Sequence, residues 1–554
     1  MILDACAFDL SEGREATFFD VAVIGAGPVG LAVAYKLWQQ GLKLVVLEAG
    51  GHRPDLDTQN DAFGGTVEPS VHPPLTLYRR RMLGGASAIW GGRCIAFDPS
   101  DFDSTSLGDG ADWPIAQMDI TSYVAKALNW LDAGFEDFRA EQALPGKTAA
   151  MIEGVDDPRL SLNEIERFSR PTNAWRKISS EFRKAKSITV LTHCVCTGII
   201  SSPSAPRAEG LRLLKRDGSA ITLRARTIVV AVGGLETARL LLNSNEGRPR
   251  GLGNAYDLVG RFYMTHILAD VGTLLVSNSS RVHLNYCFSR DDVYVRRLLK
   301  LSDATRRERC LLNAVIRPNI PPIDDPRHYN PILSAAYMTR RLIIPEYRRR
   351  LLAEDGVPQP LSAHLRNMIL GAPRLLPFAV DWSRRRIFAS RKLPSLFLNS
   401  GSRFPLEVVA EQAPHRDSRI TLSKEKDRSG MSRIKVNWKI ASDDVQSMRT
   451  TLELIQDALS SSPVAHVEIP REALENLSSF CRPQLGHHIG TARMGDSDRT
   501  GASDQWGALW EARNVYLAGS AVFPKSGAAN PTLMAVALAL RTADEIIRNH
   551  ARRD

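Results

Sequence analysis

Two histidines stand side by side in "GHHIGTARMG", residues 486–495, among glycines and small side chains rather than lysines or carboxylates. A metal would need further ligands at fixed spacing, and a core pair would need apolar neighbours. A general base needs one histidine near its ordinary pKa, neutral at physiological pH. Neighbouring side chains on a strand or loop point apart, so the two histidines, His487 and His488, are expected to do different work. A second polar group follows in "GAANPTLMAVALA", where Asn530 suits an N-cap and Pro531 the first helical position. Thr532 comes next, and Leu533, Val536, Ala537 and Leu540 recur at helical spacing. This plants a positive helix end just beyond the strand of "NVYLAGS", which closes on Gly519.

Elements that could hold an anionic cofactor lie far upstream. "FDVAVIGAGPVGLAVAYKLWQQGLKLVVLEAGG" (19–51) reads as strand, glycine turn, helix and second strand. Gly25, Gly27 and Gly30 have the G-x-G-x-x-G spacing, and Glu48 closes the second strand. Those glycines allow a tight turn and a close approach of pyrophosphate to a helix N-terminus. The acid suits a ribose hydroxyl rather than a 2′-phosphate. "RRRMLGGASAIWGGRC" (79–94) is too glycine-rich for a regular element; it is either a flexible loop or backbone pressed against a flat ligand. "ITVLTHCVCTGII", from Ile188, is β-rich, and "LRARTIVVAVGGLETARLLLNS" (223–244) is again strand, Gly turn and helix.

The length of 554 residues calls for at least two lobes, and the return of a buried strand after 188 predicts a discontinuous dinucleotide domain. Residues 270–480 differ, with alternating strands such as "RIKVNWKI" and a Pro/Arg-rich middle holding Arg340, Arg341, Arg348, Arg349, Arg350, Arg384, Arg385 and Arg386. A solvated or substrate-facing basic rim is the expectation there, ahead of an amphipathic membrane contact. The formal charge of +10 speaks to steering and solubility; without aromatic-interleaved basic motifs it does not indicate nucleic acid. Seven cysteines in no CxxC spacing indicate neither disulfides nor zinc. With no signal-peptide layout and no membrane-length apolar run, a cytoplasmic location is expected.

Together these segments resemble the glucose–methanol–choline (GMC) oxidoreductases, and the resemblance spans nearly the whole chain. "VIGAGPVG…LEAG", "GGASAIWGG", "AVGGLETARLLLNS", "LVGRFYMTH" (258–266), "EQAPHRDSRITLS" (411–423), "HHIGTARMG" and "GAANPTLMAVALA" match family segments in order. The resemblance implies noncovalently bound FAD and oxidation of a CH–OH group. Its implied cofactor residues are Gly25, Gly27, Gly30, Glu48, Arg81, Gly84, Gly85, Ser87, Trp90, Gly91, Val195, Gly233, Gly519, Pro531 and Thr532. Counting back from Gly490 and Thr491 puts His487 at the position of the catalytic base, with Asn530 as its partner. This His–Asn pair is similar to the sugar-oxidising branch of pyranose 2-oxidase and fructose dehydrogenase. His488, Glu411 and Gln412 are further substrate-side candidates, and His266 is expected to order its own segment. Ile89 precedes Trp90 where some relatives carry a flavin-linking histidine, so a covalent link at that position is excluded.

The implied fold is α/β: a discontinuous Rossmann-like FAD domain (18–110, 188–269, 484–554), a cap region (111–187) and a sheet-based substrate domain with a helical, Arg-rich insert (270–483). The implied substrate is a secondary alcohol of a sugar or glycoside. The sequence leaves two alternatives, a lyase of hydroxynitrile type on the same scaffold and a flavin-binding subunit of a membrane or glycan-assembly complex.

Overall fold

The computed structural model describes residues 1–8, 18–61, 64–68, 71–105, 107–110, 112–146, 150–170, 172–343, 348, 351–352, 360–395 and 402–552. Arg349 and Arg350 lie outside these residues. In chain order the elements that matter are β1 (Ile2–Asp4), β2 (Phe19–Ile24), α1 (Pro28–Gln39), β3 (Leu44–Leu47), β4 (Ile188–Thr192), β5 (Ala225–Val230), α2 (Gly234–Asn243) and β6 (Ile267–Val276). There follow β7 (Ala314–Pro318), α3 (Pro331–Met338), α4 (Leu361–Leu370), α5 (Ala372–Ser383), β8 (Arg403–Ala410), β9 (Ala465–Glu468), β10 (Val515–Leu517) and α6 (Pro531–Ala551).

The first sheet has the order β1-β4-β3-β2-β5-β10, and every neighbouring pair is parallel. Its strands come from three separate stretches of the chain, the discontinuity expected from the sequence, and it starts at Ile2, earlier than the glycine motif. The apolar runs "LVVL" and "TIVV" are buried throughout, as strands covered on both faces must be. α1 packs against α6, whose "LMAVALALRTA" is buried on every side, so α6 runs through the core rather than over it.

The second sheet is antiparallel, ordered β7-β8-β6-β9, with Arg482–Pro483 also pairing with β6. Its register fixes the site. Ile267 pairs with both Ala410 and Pro483, and Ala410 also pairs with Ala314. His266, Glu411 and Asn313 therefore sit one residue past three adjoining strand ends, and the 486–488 turn follows just beyond the fourth.

A buried charge cluster ties the glycine-rich segment to this sheet. Glu166, fully buried, meets Arg93 at 3.1 Å, Arg296 at 2.8 Å and Arg317 at 2.9 Å. Burial alone would raise its pKa, but the three guanidiniums outweigh it and hold the carboxyl down to about 2. The insert is helical, as expected: α4 and α5 both pack on α3.

Candidate active site and cofactor cavity

Three helices begin at the wall of one cavity of about 280 Å³, and none of the three has a side-chain cap. They are α1 behind Gly27, α2 behind Gly233 and α6 behind Asn530. Uncapped N-termini leave backbone N–H groups unsatisfied and present three positive dipole ends, the arrangement that binds phosphate and other anions. At Gly27, Gly233 and Gly519, all on the wall, a Cβ would meet no protein atom within 4 Å, so the space beyond them is room for a ligand.

Two charged groups complete the cradle. Glu48, almost fully buried, accepts from Ala26 N and Gly50 N, each at 3.0 Å. Burial raises its pKa, against those hydrogen bonds and the field of Arg81. Arg81 puts one terminal nitrogen on Glu236 at 2.9 Å, and its other, Nη1, is buried with no partner among the described residues. Glu236 is itself drawn down to about 2; burial opposes this and Arg81, Arg79 and Arg239 overcome it. An unsatisfied guanidinium nitrogen, three bare helix ends and a buried acid fit the phosphates and ribose of a dinucleotide.

Gly85, Val195, Pro531 and Thr532 also line this cavity, and so does His488, a substrate-side candidate from the sequence. Gly30, Gly84, Ser87, Trp90 and Gly91 do not. Gly30 lets α1 touch the glycine turn, for a Cβ there would stand 2.0 Å from Gly25 O. Gly84 has φ +92 and leaves no room for a side chain beside Asn173. Ser87 accepts from Ala174 N at 3.0 Å, Trp90 Nε1 donates to Thr172 O at 3.0 Å, and Gly91 is exposed. These residues shape the loop, while Gly85 and Ala86 present it to the cavity. Tyr78, Arg79, Arg80 and Glu236 on the wall were missed because polar side chains outside a glycine motif carry no spacing signal.

At the other histidine the hydrogen bonds fix protonation. His266 is fully buried, and burial lowers its pKa to about 4, so it is neutral. Its Nε2 lies 3.3 Å from Ser526 O, which only accepts, so Nε2 carries the proton and Nδ1 is a bare lone pair. His487 Nδ1 lies 2.7 Å from that lone pair and must therefore donate. This places a proton on His487 Nδ1 and leaves Nε2 as the basic nitrogen of the neutral ring. Asn530 Nδ2 reaches His487 Nε2 at 3.1 Å. Asn530 occupies the N-cap position of α6, but its side chain makes no cap; it turns to the histidine, giving up about 1 kcal/mol of helix stabilisation.

The same logic runs through His488. His72 Nδ1 faces its neighbour's carbonyl, Pro73 O, at 2.8 Å and so donates, which makes His72 Nε2 an acceptor for Tyr263 OH at 3.0 Å. Tyr263 oxygen then receives His488 Nδ1–H at 2.9 Å, and His488 Nε2 is left as a buried acceptor with no partner among the described residues. Burial, Arg79 and His72 lower the His488 pKa well below its usual value.

Glu411 and Gln412 part company. Glu411 lines a separate polar cavity of about 270 Å³ with Ser100, Asp101, Arg306, Arg307 and Lys525. It accepts from Gly527 N at 3.2 Å and Asn313 N at 2.9 Å, and burial followed by the Asp101 charge pushes it up to about 7. Gln412 is fully buried and spends its amide on Thr265 N, Trp438 Nε1 and Lys439 O, so its side chain holds strands together and lines neither of the two cavities.

Family models for GMC oxidoreductase match residues 177–267 and 414–539, the stretches that carry α2, His266, His487 and Asn530. The chain belongs to the GMC oxidoreductases. It is an FAD-dependent enzyme that acts on CH–OH donors. It is 23% identical to 2-methyl-1,2-propanediol dehydrogenase of Mycolicibacterium austroafricanum, covering 96% of this chain and 95% of that one. It is 24% identical to paromamine 6'-oxidase of Streptomyces fradiae over 95% and 91% of the two chains. Pyridoxine 4-oxidase from "Mesorbium loti" shares its fold, with a TM-score of 0.53 at 15% identity over 96% and 99%.

Proposed function

We propose that this GMC oxidoreductase oxidises a secondary alcohol of a sugar or glycoside to the ketone, with His487 as the base and FAD held without a covalent bond. The carrying observation is the ordered trio His266–His487–Asn530, which leaves one basic nitrogen, His487 Nε2, beside an amide donor. A substrate hydroxyl taking the place between these groups gives its proton to Nε2 and accepts the Asn530 amide on its oxygen. His266 keeps the imidazole in the tautomer for which Nε2 is basic, and its neutrality spares the newly formed imidazolium a second buried charge. The bound FAD supplies the two-electron acceptor for the hydride. The uncapped start of α6 would offer positive potential to negative charge developing on the reduced cofactor.

The substrate class rests on two supports. The polar cavity of Glu411 adjoins the Lys525–Gly527 loop, whose Ser526 carbonyl holds His266, and hydroxyls suit its lining better than aliphatic chains. The relatives include one named fructose dehydrogenase large subunit, a sugar enzyme by its name, beside paromamine 6'-oxidase, while the propanediol relative is named for a small diol. Noncovalent attachment rests on Ile89 standing before Trp90. The test is anaerobic mixing with a panel of sugars, glycosides and simple alcohols. Bleaching of the oxidised-flavin absorption band by glycosides and not by benzyl alcohol supports the assignment. Bleaching by aryl or aliphatic primary alcohols alone overturns the substrate class, and substrate cleavage without bleaching identifies a lyase. Acid precipitation should leave the flavin in solution.

A further inference from the structure

α5 contains "APRLLPFAVDWS" and has no buried residue. Its inward side is only half-buried, through Leu375, Phe378 and Trp382 at helical spacing, while Leu376 and Val380 stand out on another face at 72% and 62% exposure. α4 repeats the pattern. His364 and Asn367 face α3, His364 stacking on Tyr337 at 4.3 Å, and Leu361, Leu365 and Ile369 form a four-residue-spaced stripe on the outside. Beyond α5, Ile387 and Phe388 are also exposed, Phe388 by 81%. A helix of a soluble lobe turns its large apolar side chains inward, and contiguous exposed ones mark an interaction surface.

The charges around this face indicate what covers it. Residues 361–388 carry five arginines, Arg366, Arg374, Arg384, Arg385 and Arg386, and one acid, Asp381; five positive charges and one negative leave +4. Arg385 pairs with Asp381, and Arg366, Arg374 and Arg384 are exposed. No helix among the described residues is long and apolar enough to cross a membrane. Short helices with outward Leu, Ile and Phe fringed by arginine are built to lie in a headgroup layer, the apolar side chains entering the acyl boundary and the guanidiniums meeting anionic headgroups. A polyanion such as nucleic acid would use the arginines but leave the apolar side chains in water. We propose that the α4–α5 face docks this enzyme on an anionic lipid surface. The inference is independent of the substrate assignment.

The test is co-sedimentation of the FAD-loaded enzyme with phosphatidylcholine vesicles, with and without phosphatidylglycerol. Partition onto anionic vesicles should exceed that onto neutral ones by about tenfold and fall in high salt. The triple variant Ile369→Ser/Leu376→Ser/Phe388→Ser should lose binding to both while keeping the wild-type melting temperature. Arg366→Gln/Arg374→Gln/Arg384→Gln should lose only the preference for anionic lipid. Equal partition onto both vesicle types, or binding that neither variant changes, overturns the proposal. So does a concentration-dependent dimer that the apolar variant dissolves without any lipid binding, because the face then belongs to a second copy of the chain.

Discussion

His266 shows how a residue acts at a distance from its own sequence context. From "GRFYMTH" it reads as the end of an ordering segment, yet its ring sets the protonation of His487, 221 positions away. Replacing it separates two effects. His266→Asn keeps a side-chain acceptor for His487 Nδ1–H and should retain more flavin-reduction rate than His266→Phe, which leaves that donor unpaired. Both variants remove a buried neutral histidine. Its folded pKa of about 4 lies below the unfolded value, so the unfolded chain binds the extra proton first and the stability contributed by neutral His266 is lost as pH falls. The wild type's stability advantage over His266→Asn should therefore shrink by about 1.6 kcal/mol between pH 6.5 and 5, the slope approaching about 1.4 kcal/mol per unit only well below pH 6.5. Urea midpoints at the two pH values measure this. A constant difference would mean that folding does not lower the His266 pKa, and an advantage that grows in acid would mean that His266 is protonated in the fold; either would remove the basis of the tautomer assignment.

Among the elements, the glycine turn before α1 tests whether the cavity is a cofactor site. Gly27 and Gly30 have the same residue type and opposite surroundings. A methyl group at Gly27 meets no protein atom, whereas one at Gly30 strikes Gly25 O. Gly27→Ala should fold with a near wild-type apoprotein melting temperature and purify with little flavin. Gly30→Ala should fail in folding, since no side-chain movement relieves a clash with backbone. Equal flavin content in Gly27→Ala and wild type would place the cofactor elsewhere. This element was legible because its information is local: three glycines, a strand on each side and one acid. Asn530 was legible as a helix start for the same reason, whereas its pairing with His487 followed only from the family resemblance, because a capping amide and one turned to a histidine have the same sequence. Gln412 looked like a pocket residue only by adjacency to Glu411; the alternation of a strand end turns it the other way, into Thr265, Trp438 and Lys439.

Across the whole molecule, two sheets must meet in one relative placement for His266, His487 and Asn530 to come together. Glu166 fastens the glycine-rich segment to the second sheet through Arg93 and Arg317, and nothing in "IERF" announces it, since its three arginines come from separate elements. Glu166→Gln should cost about 3–5 kcal/mol at pH 7 by leaving buried guanidiniums without a counter-charge. Because the carboxyl is held to about 2, its contribution is present above the unfolded value near 4.5 and lost as pH falls toward 2. The deficit of the variant should accordingly narrow in acid, which chemical denaturation at pH 7 and pH 3.5 would register. The central claim concerns the chemistry that this placement serves, and anaerobic stopped-flow reduction of His487→Ala by the best sugar or glycoside tests it most directly. His487→Ala should be yellow and FAD-replete, with flavin reduction slower by about 10²–10⁴, and His488→Ala should be affected far less. Wild-type reduction rates in His487→Ala, or the large loss falling on His488→Ala instead, would contradict it.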